Sequence, residues 1–250
     1  VKLSKYALMD FISCPRRFKA IHIDKVATKD IWEASVGRQF HEFARDFFSR
    51  VPFKKAVRIN RLDDLKVLFV SLADAKDEEL KVLEYNFCKF EAEHFWKLKT
   101  LLPGDFKRYF VPLDVELEVE TKTAHFIVDR IDLLTSRQSC VFEYKTSTYW
   151  NPTSLRKELA FYAVGLKSIR KYRSLYPPTH IACYNPRLDR FLFEKLSKRS
   201  VQSMFTWLER MVDAIKKNNF PRKFSGLCRY CPIADECYSE LPPEYQPVRR

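Results

Sequence analysis

Glycine is scarce in this chain, four residues in 250, alongside three methionines and five histidines. So little glycine excludes collagen-like and flexible-linker architectures, and it disfavours a loop-rich all-β protein, whose tight turns call for residues of positive φ. No apolar run approaches the roughly 20 residues needed to cross a bilayer as a helix. The first residues carry no apolar segment of the secretory type, so no membrane attachment is expected and the setting is read as intracellular, cytoplasmic. No internal repeat and no low-complexity stretch breaks the chain. Seven cysteines in so long a sequence do not match a small disulfide scaffold.

What is present is apolar residues, aromatics and positive charge. A hydrophobic content of 46% is enough for a full core, either as one large domain or as a core with a helical annex. The formal net charge is +13, from 45 Lys+Arg against 32 Asp+Glu. Basic residues recur along the chain, as in Arg16-Arg17, Lys54-Lys55, Lys107-Arg108, Lys216-Lys217 and Arg222-Lys223. Each pair alone reads as solvated surface; together they point to a polyanionic partner such as nucleic acid. Aromatics make up 15% of the residues. Most must be core, but some are available to stack on unpaired bases.

The hydrophobic period changes once. From Ser4, a predicted N-cap, to about Leu101 the apolar residues fall at helical spacing, with Phe40, Phe43 and Phe47 and then Leu80, Leu83, Phe87 and Phe95 marking the faces. From Tyr109 the period is two: Val115, Leu117 and Val119 alternate with acids, a second strand runs from Phe126 to Leu134, and a third from Cys140 to Lys145. A helix over about Pro152–Tyr172, short strands at His180–Tyr184 and Arg190–Leu196, and a helix over about Ser200–Asn218 complete the pattern. The expectation is an α/β protein with a mixed central sheet. Its divisions are a helical annex over 1–105, a core over 106–218 and a terminal segment over 219–250.

Two constellations carry chemistry. Cys14 stands in Cys14-Pro15-Arg16-Arg17-Phe18, and Cys228, Cys231 and Cys237 follow a C-x2-C-x5-C spacing. Four thiolates are the usual complement of an iron–sulfur cluster or a structural zinc, and spacing alone does not separate the two. Cys88, Cys140 and Cys183 lie in apolar patterns and read as core. On the third strand, Glu143 and Lys145 share a face. Asp132, set among Val128, Ile131, Leu133 and Leu134, is a charge that needs a partner. A hairpin through Thr135–Ser139 is expected to bring Asp132 and Glu143 onto one divalent cation, with Lys145 orienting water or neutralising phosphate.

In this order, from Cys14 through Gly37-x3-His41, Asp132, Glu143-x-Lys145-Thr146 and Glu158-x3-Tyr162 to Cys237, the chain resembles the PD-(D/E)xK nuclease superfamily. Within it, the chain resembles the RecB-like iron–sulfur branch, which includes CRISPR-associated exonucleases and the AddB nuclease domain. The resemblance implies a restriction-endonuclease-like sheet. It implies Asp132 and Glu143 as metal-binding acids, His41 as a further ligand, Lys145 as the catalytic lysine, and Glu158 and Tyr162 as the pair from the following helix. Two departures stand out: Glu158 replaces a usual glutamine, and Asp129 stands where a glycine is common, three residues before the catalytic acid. Glu116 and Glu118 are candidates for an outer ligand, or simply edge-strand acids.

The resemblance further implies a [4Fe-4S] cluster on Cys14, Cys228, Cys231 and Cys237 in place of zinc, and manganese or magnesium at the acids. The substrate would be DNA, chiefly single strands or single-stranded ends, with a place in CRISPR spacer acquisition beside an integrase complex. The alternatives are a repair or viral recombination nuclease of the same chemistry, or a non-catalytic DNA-binding module. Cleavage polarity and oligomeric state are not written in these motifs.

Overall fold

The computed structural model describes residues 3–27, 32–121, 124–226, 228 and 231–240. The Ser4 hydroxyl accepts from Ala7 N at 3.0 Å and caps α1 (Lys5–Ser13), satisfying one of the amides a helix start leaves open. Cys14 breaks the helix in extended conformation, and Pro15 opens the single turn α2 (Pro15–Phe18), followed by a π-helical turn at Lys19–Ile23. Then come α3 (Trp32–Arg50), α4 (Phe53–Ala56), α5 (Leu62–Val70), α6 (Glu78–Leu101) and α7 (Phe106–Phe110). Asp77 caps α6 by accepting from Glu79 N and Leu80 N, and Glu78 and Glu79 add charge complementary to the helix start.

The period-two segments form β1 (Asp114–Glu120), β2 (His125–Thr135) and β3 (Gln138–Tyr144). After them come α8 (Pro152–Leu166), β4 (Pro178–Asn185), β5 (Arg190–Lys195), α9 (Lys198–Lys217) and α10 (Ala234–Ser239). The strands build one mixed sheet in the order β1-β2-β3-β4-β5. β2 and β3 are antiparallel, β3 and β4 parallel, and β4 and β5 antiparallel. The parallel step needs a long connection, which α8 supplies. The helix expected to run to Tyr172 ends at Leu166; a π-helical turn at Lys171–Leu175 leads into β4.

The chain divides into two compact units, one of residues 1–30, 121–125 and 202–250, the other of 31–120 and 126–201. In the second, Cys140, Phe142 and Tyr144 of β3 and Ala182 and Tyr184 of β4 turn one face toward Phe40, Phe43 and Phe47 of α3 and Phe87 and Phe95 of α6. These rings meet mostly edge-on, Phe47 with Phe87 at 5.0 Å for example, the arrangement their quadrupoles favour. The opposite face of the sheet lies against α8, where Phe126 meets Phe161 at 5.2 Å and Tyr162 at 5.5 Å. The helices of 32–110 thus share a unit and a core with the sheet.

Gly165 is what allows α8 to settle there: a Cβ at this position would lie 2.3 Å from Phe126 Cζ. Gly165→Ala is expected to lower stability by about 1–3 kcal/mol through overpacking. The urea midpoint reads this out. Gly104→Ala, where a Cβ meets nothing within 4 Å, is the control that should stay near wild type.

In the first unit the two chain ends are tied together. Arg16 donates to Glu240 at 2.8 Å, Lys223 Nζ to the Ile12 carbonyl at 3.1 Å, and Phe18 and Phe220 pack at 6.0 Å. Arg222 donates to the Cys237 carbonyl and to Glu240.

Candidate active site

A group of acids, a histidine and a lysine converges at one end of the second unit's sheet. Asp129 on β2 and Glu143 on β3 occupy the face opposite the Phe142–Tyr144 core side. The strand register sets this, with Arg130 opposite Phe142 and Asp132 opposite Cys140. Asp129 Oδ2 accepts from Tyr144 N at 2.7 Å, which fixes its carboxylate. His41, one turn beyond Gly37 on α3, places Nδ1 at 3.5 Å from Asp129 Oδ1 and 3.6 Å from Glu116 Oε1. Among the described residues, His41, Glu116 and Asp129 are the group whose ligand atoms all lie within 4.8 Å of one another. Glu116 reaches in with φ of +46°. The left-handed region costs a non-glycine residue on the order of 1 kcal/mol or more, and the unusual backbone redirects an acid that a regular edge strand would not send there.

Lys145 follows directly. Its backbone amide donates to the Tyr184 carbonyl at 3.0 Å. Its ammonium sits between Glu143 Oε1 at 2.6 Å and Glu158 Oε1 at 2.7 Å. Glu143 is 1% exposed and Glu158 6%, so this cation is shared by two sequestered carboxylates. Tyr162, one turn along α8 from Glu158, is fully buried. Burial raises its hydroxyl pKa well above the ordinary value, and the nearby Glu143, Glu158 and Asp129 push it the same way, so it stays a neutral phenol.

Asp132 does not join this group. It lies on the core side of β2, accepting from Arg130 Nε at 2.6 Å. The expected convergence of Asp132 with Glu143 is therefore corrected: residues three apart on a strand face opposite sides, and Asp129 is the acid that stands with Glu143. Asp129, which the sequence marks only as a departure from glycine, is the acid the strand register sets beside Glu143. Glu116, by sequence either an outer ligand or an edge-strand acid, lies with His41 and Asp129.

A family model described as the PD-(D/E)XK nuclease superfamily matches residues 2–238. The chain belongs to that superfamily. Its members are nucleases that use divalent metals, so a DNA substrate and hydrolysis of phosphodiesters come with membership. The chain matches no curated protein sequence. Among solved structures it is similar to a "Putative exonuclease" from Eubacterium rectale, at 11% identity and TM-score 0.42, covering 92% of this chain and 87% of that one. It is also similar to the protein SSO0001, at 14% identity and TM-score 0.32, covering 85% and 100%. Both likenesses are distant, and the family match is what decides. No helix among the described residues is long and apolar enough to cross a membrane.

For a PD-(D/E)XK nuclease, the donor set fits a hard divalent cation. Carboxylate oxygens from Glu116, Asp129 and Glu143 suit magnesium or manganese, and an imidazole favours manganese. Without a cation the histidine takes over the role of counter-charge. Burial opposes a charged His41 imidazole, but Asp129, Glu116 and Glu143 together outweigh it and push its pKa up to about 9. Because the folded value lies above the ordinary 6.5, the stabilisation is fully present below pH 6.5 and is lost as pH rises through about 9. Urea midpoints in EDTA should fall between pH 6 and pH 9, and His41→Ala should flatten that fall. An unchanged slope in the variant would remove the imidazole from the account.

The first unit gathers the other constellation. Cys14, Cys228, Cys231 and Cys237 line one cavity, with Arg17, Arg222 and Lys223 at its wall. Lys223 N donates to Cys14 Sγ at 3.4 Å and Ser225 N to Cys228 Sγ at 3.3 Å. Cys88, Cys140 and Cys183 are buried in the second unit. Burial raises the thiol pKa of each, so they remain neutral core residues.

Proposed function

We propose that this protein is a metal-dependent exonuclease acting on single-stranded DNA or single-stranded ends, with His41, Glu116, Asp129 and Glu143 holding manganese or magnesium. The convergence of Asp129, Glu143, Lys145 and His41 carries the reading. A bound cation would supply Lewis-acid stabilisation of the charge that develops on the phosphate and would lower the pKa of water. The chain's own residues do the rest. Asp129 is oriented by the Tyr144 amide. Lys145, held between Glu143 and Glu158, presents a fixed positive charge to the scissile phosphate and orients the attacking water. Glu158, standing where the family's glutamine would be, positions that lysine by an ion pair instead of a neutral amide. Tyr162 closes the floor beneath the acids and stays uncharged.

The preference for single strands is supported by a net charge of +13 together with an aromatic content of 15%, the pairing of charge and stacking surface that unpaired nucleic acid uses. The four thiols are proposed to hold a [4Fe-4S] cluster. Among the described residues they share a cavity, and the backbone amides of Lys223 and Ser225 donate to two of the sulfurs, as hydrogen bonds around an iron–sulfur cluster do. Such a centre would staple the two chain ends across roughly 200 residues, offsetting the entropy of closing that loop. A role in CRISPR spacer acquisition beside an integrase complex is the biological setting proposed, resting on the order of motifs from Cys14 to Cys237.

The test is anaerobic incubation with 5′- or 3′-labelled single-stranded and duplex DNA, with manganese, magnesium or EDTA, beside Lys145→Ala. Metal-dependent loss of single strands that disappears in the variant supports the enzyme and reports polarity. Binding without cleavage under every metal would leave a DNA-binding module. Visible absorbance near 400 nm that is lost in Cys231→Ala separates the cluster from zinc.

A further inference from the structure

β5 forms one edge of the second unit's sheet, and nothing in the proposed nuclease chemistry uses it. Tyr184 stands opposite Phe191 in the β4–β5 ladder, yet its carbonyl turns the other way, to accept from Lys145 N. Leu196 N donates to the Thr179 carbonyl, one step beyond the pair His180 and Lys195. Alternate residues of an antiparallel strand point N–H and C=O to the same side. Arg190, Leu192 and Glu194 therefore bond to β4, while Phe191 and Phe193 aim both backbone groups outward. Among the described residues, no backbone hydrogen bond from outside β4 reaches these two. Their side chains are each 50% exposed, an unusual state for two neighbouring phenylalanines.

Edge strands are commonly guarded against pairing by proline, by irregular backbone or by charge. β1, at the opposite edge, is guarded in two of these ways: Asp114, Glu116, Glu118 and Glu120 are all acids, and Glu116 adopts a left-handed backbone. β5 has no such guard. It contains no proline, its register with β4 is unbroken, and its charges are of both signs. Those charges are also arranged to match a copy of themselves. If β5 is laid antiparallel on a second β5 with Leu192 at the centre, Phe191 falls opposite Phe193 and Arg190 opposite Glu194. One step further out, Lys195 falls opposite Asp189, which is exposed. In this register the outward backbone groups of Phe191 and Phe193 meet one another. Moving it by two residues in either direction sets Arg190 or Glu194 against Leu192 and loses the match. Glu194 already accepts from Arg156 at 2.6 and 2.7 Å, but a carboxylate has lone pairs for a further donor.

We propose that β5 pairs antiparallel with β5 of a second copy of this chain across a two-fold axis, so that one sheet runs through both copies. Each symmetric pair of Phe191 with Phe193 exchanges N–H···O bonds and covers two half-exposed rings. Each pair of Arg190 with Glu194 adds a cross-strand ion pair of the kind that fixes register. The contact is isologous, so every interaction occurs twice and the assembly closes at two copies. This inference does not depend on the nuclease reading.

Sedimentation of nucleic-acid-free protein over a concentration series is the test, on wild type, Arg190→Glu, Glu194→Arg and an equimolar mixture of the two variants. Wild type is expected to sediment at twice the chain mass in the micromolar range. Each variant alone sets like charges opposite each other at two places and should weaken the dimer about tenfold or more. In the mixture, each glutamate of one variant meets an arginine of the other, so dimers should return. Both positions are on the surface, and melting curves confirm that the variants fold. Amide exchange in wild type gives a reading that needs no variant: Phe191 and Phe193 should exchange more slowly in the concentrated protein than in the diluted one. A wild-type monomer up to hundreds of micromolar, a dimer indifferent to Arg190→Glu, a mixture of folded variants that stays monomeric, or exchange at Phe191 and Phe193 independent of concentration would each overturn the proposal.

Discussion

Asp129→Asn lowers metal-dependent DNA cleavage by on the order of 10³-fold or more, whereas Asp132→Asn cleaves within a few-fold of wild type when both are assayed well below their melting transitions. Removing a carboxylate that neutralises a bound divalent cation forfeits several kcal/mol of transition-state stabilisation, at about 1.4 kcal/mol per tenfold. Asp129 stands 3.5 Å from His41 and is held by the Tyr144 amide. Asp132 is on the other side of β2, engaged with Arg130. The two variants should also diverge in a second property. Manganese binding by calorimetry weakens in Asp129→Asn only, and melting temperature falls mainly in Asp132→Asn, which loses half of a buried ion pair. An inactive but well-folded Asp132→Asn, or a fully active Asp129→Asn, would reverse the assignment of the acid.

The reason the sequence points to Asp132 lies in the hairpin. Counting back from the turn at Ser136 and Arg137, Thr135 pairs with Gln138, and an unbroken ladder would set Arg130 opposite Glu143. An irregularity between Leu133 and Thr135 shifts the register by one, so that Leu133 pairs with Ser139 and Arg130 with Phe142. A single-residue slip turns every side chain to the other face, and nothing in Leu133-Leu134-Thr135 announces it. Glu116 is hidden for a similar reason, because its positive φ belongs to no local sequence rule. The change from helical to alternating period is legible, though placed early, since Tyr109 still belongs to α7 and β1 begins at Asp114; the cap at Ser4 and the shared face of Glu143 and Lys145 are legible too, since each depends on neighbours in sequence. Glu91 is not. It lies within a helical stretch of α6, and its burial beside Arg130 is decided by packing between segments far apart in the chain.

Arg130→Met is expected to cost about 3–5 kcal/mol of stability, because it strands two carboxylates away from water. Arg130 and Glu91 are 1% and 0% exposed, and the guanidinium packs 4.8 Å over Phe48 and 4.4 Å over Phe142. Desolvation works against the charged guanidinium, yet Asp132 and Glu91 together push its pKa well above its ordinary value. Arg130 is therefore charged at any pH at which the protein folds. For a domain of this size the loss corresponds to a melting decrease of roughly 6–20 °C. The triple variant Glu91→Leu, Arg130→Met, Asp132→Leu should recover most of it, since replacing a whole buried ion group by apolar side chains is far less costly than breaking it. A single variant within 1 kcal/mol of wild type would contradict the account. The network also bears on the site through one residue. Tyr144 accepts from Arg130 at its hydroxyl and donates its amide to Asp129. Loosening Arg130 should therefore cost activity at temperatures where Arg130→Met is still folded, and the triple variant, which restores stability without restoring the hydrogen bond to Tyr144, should remain slower than wild type.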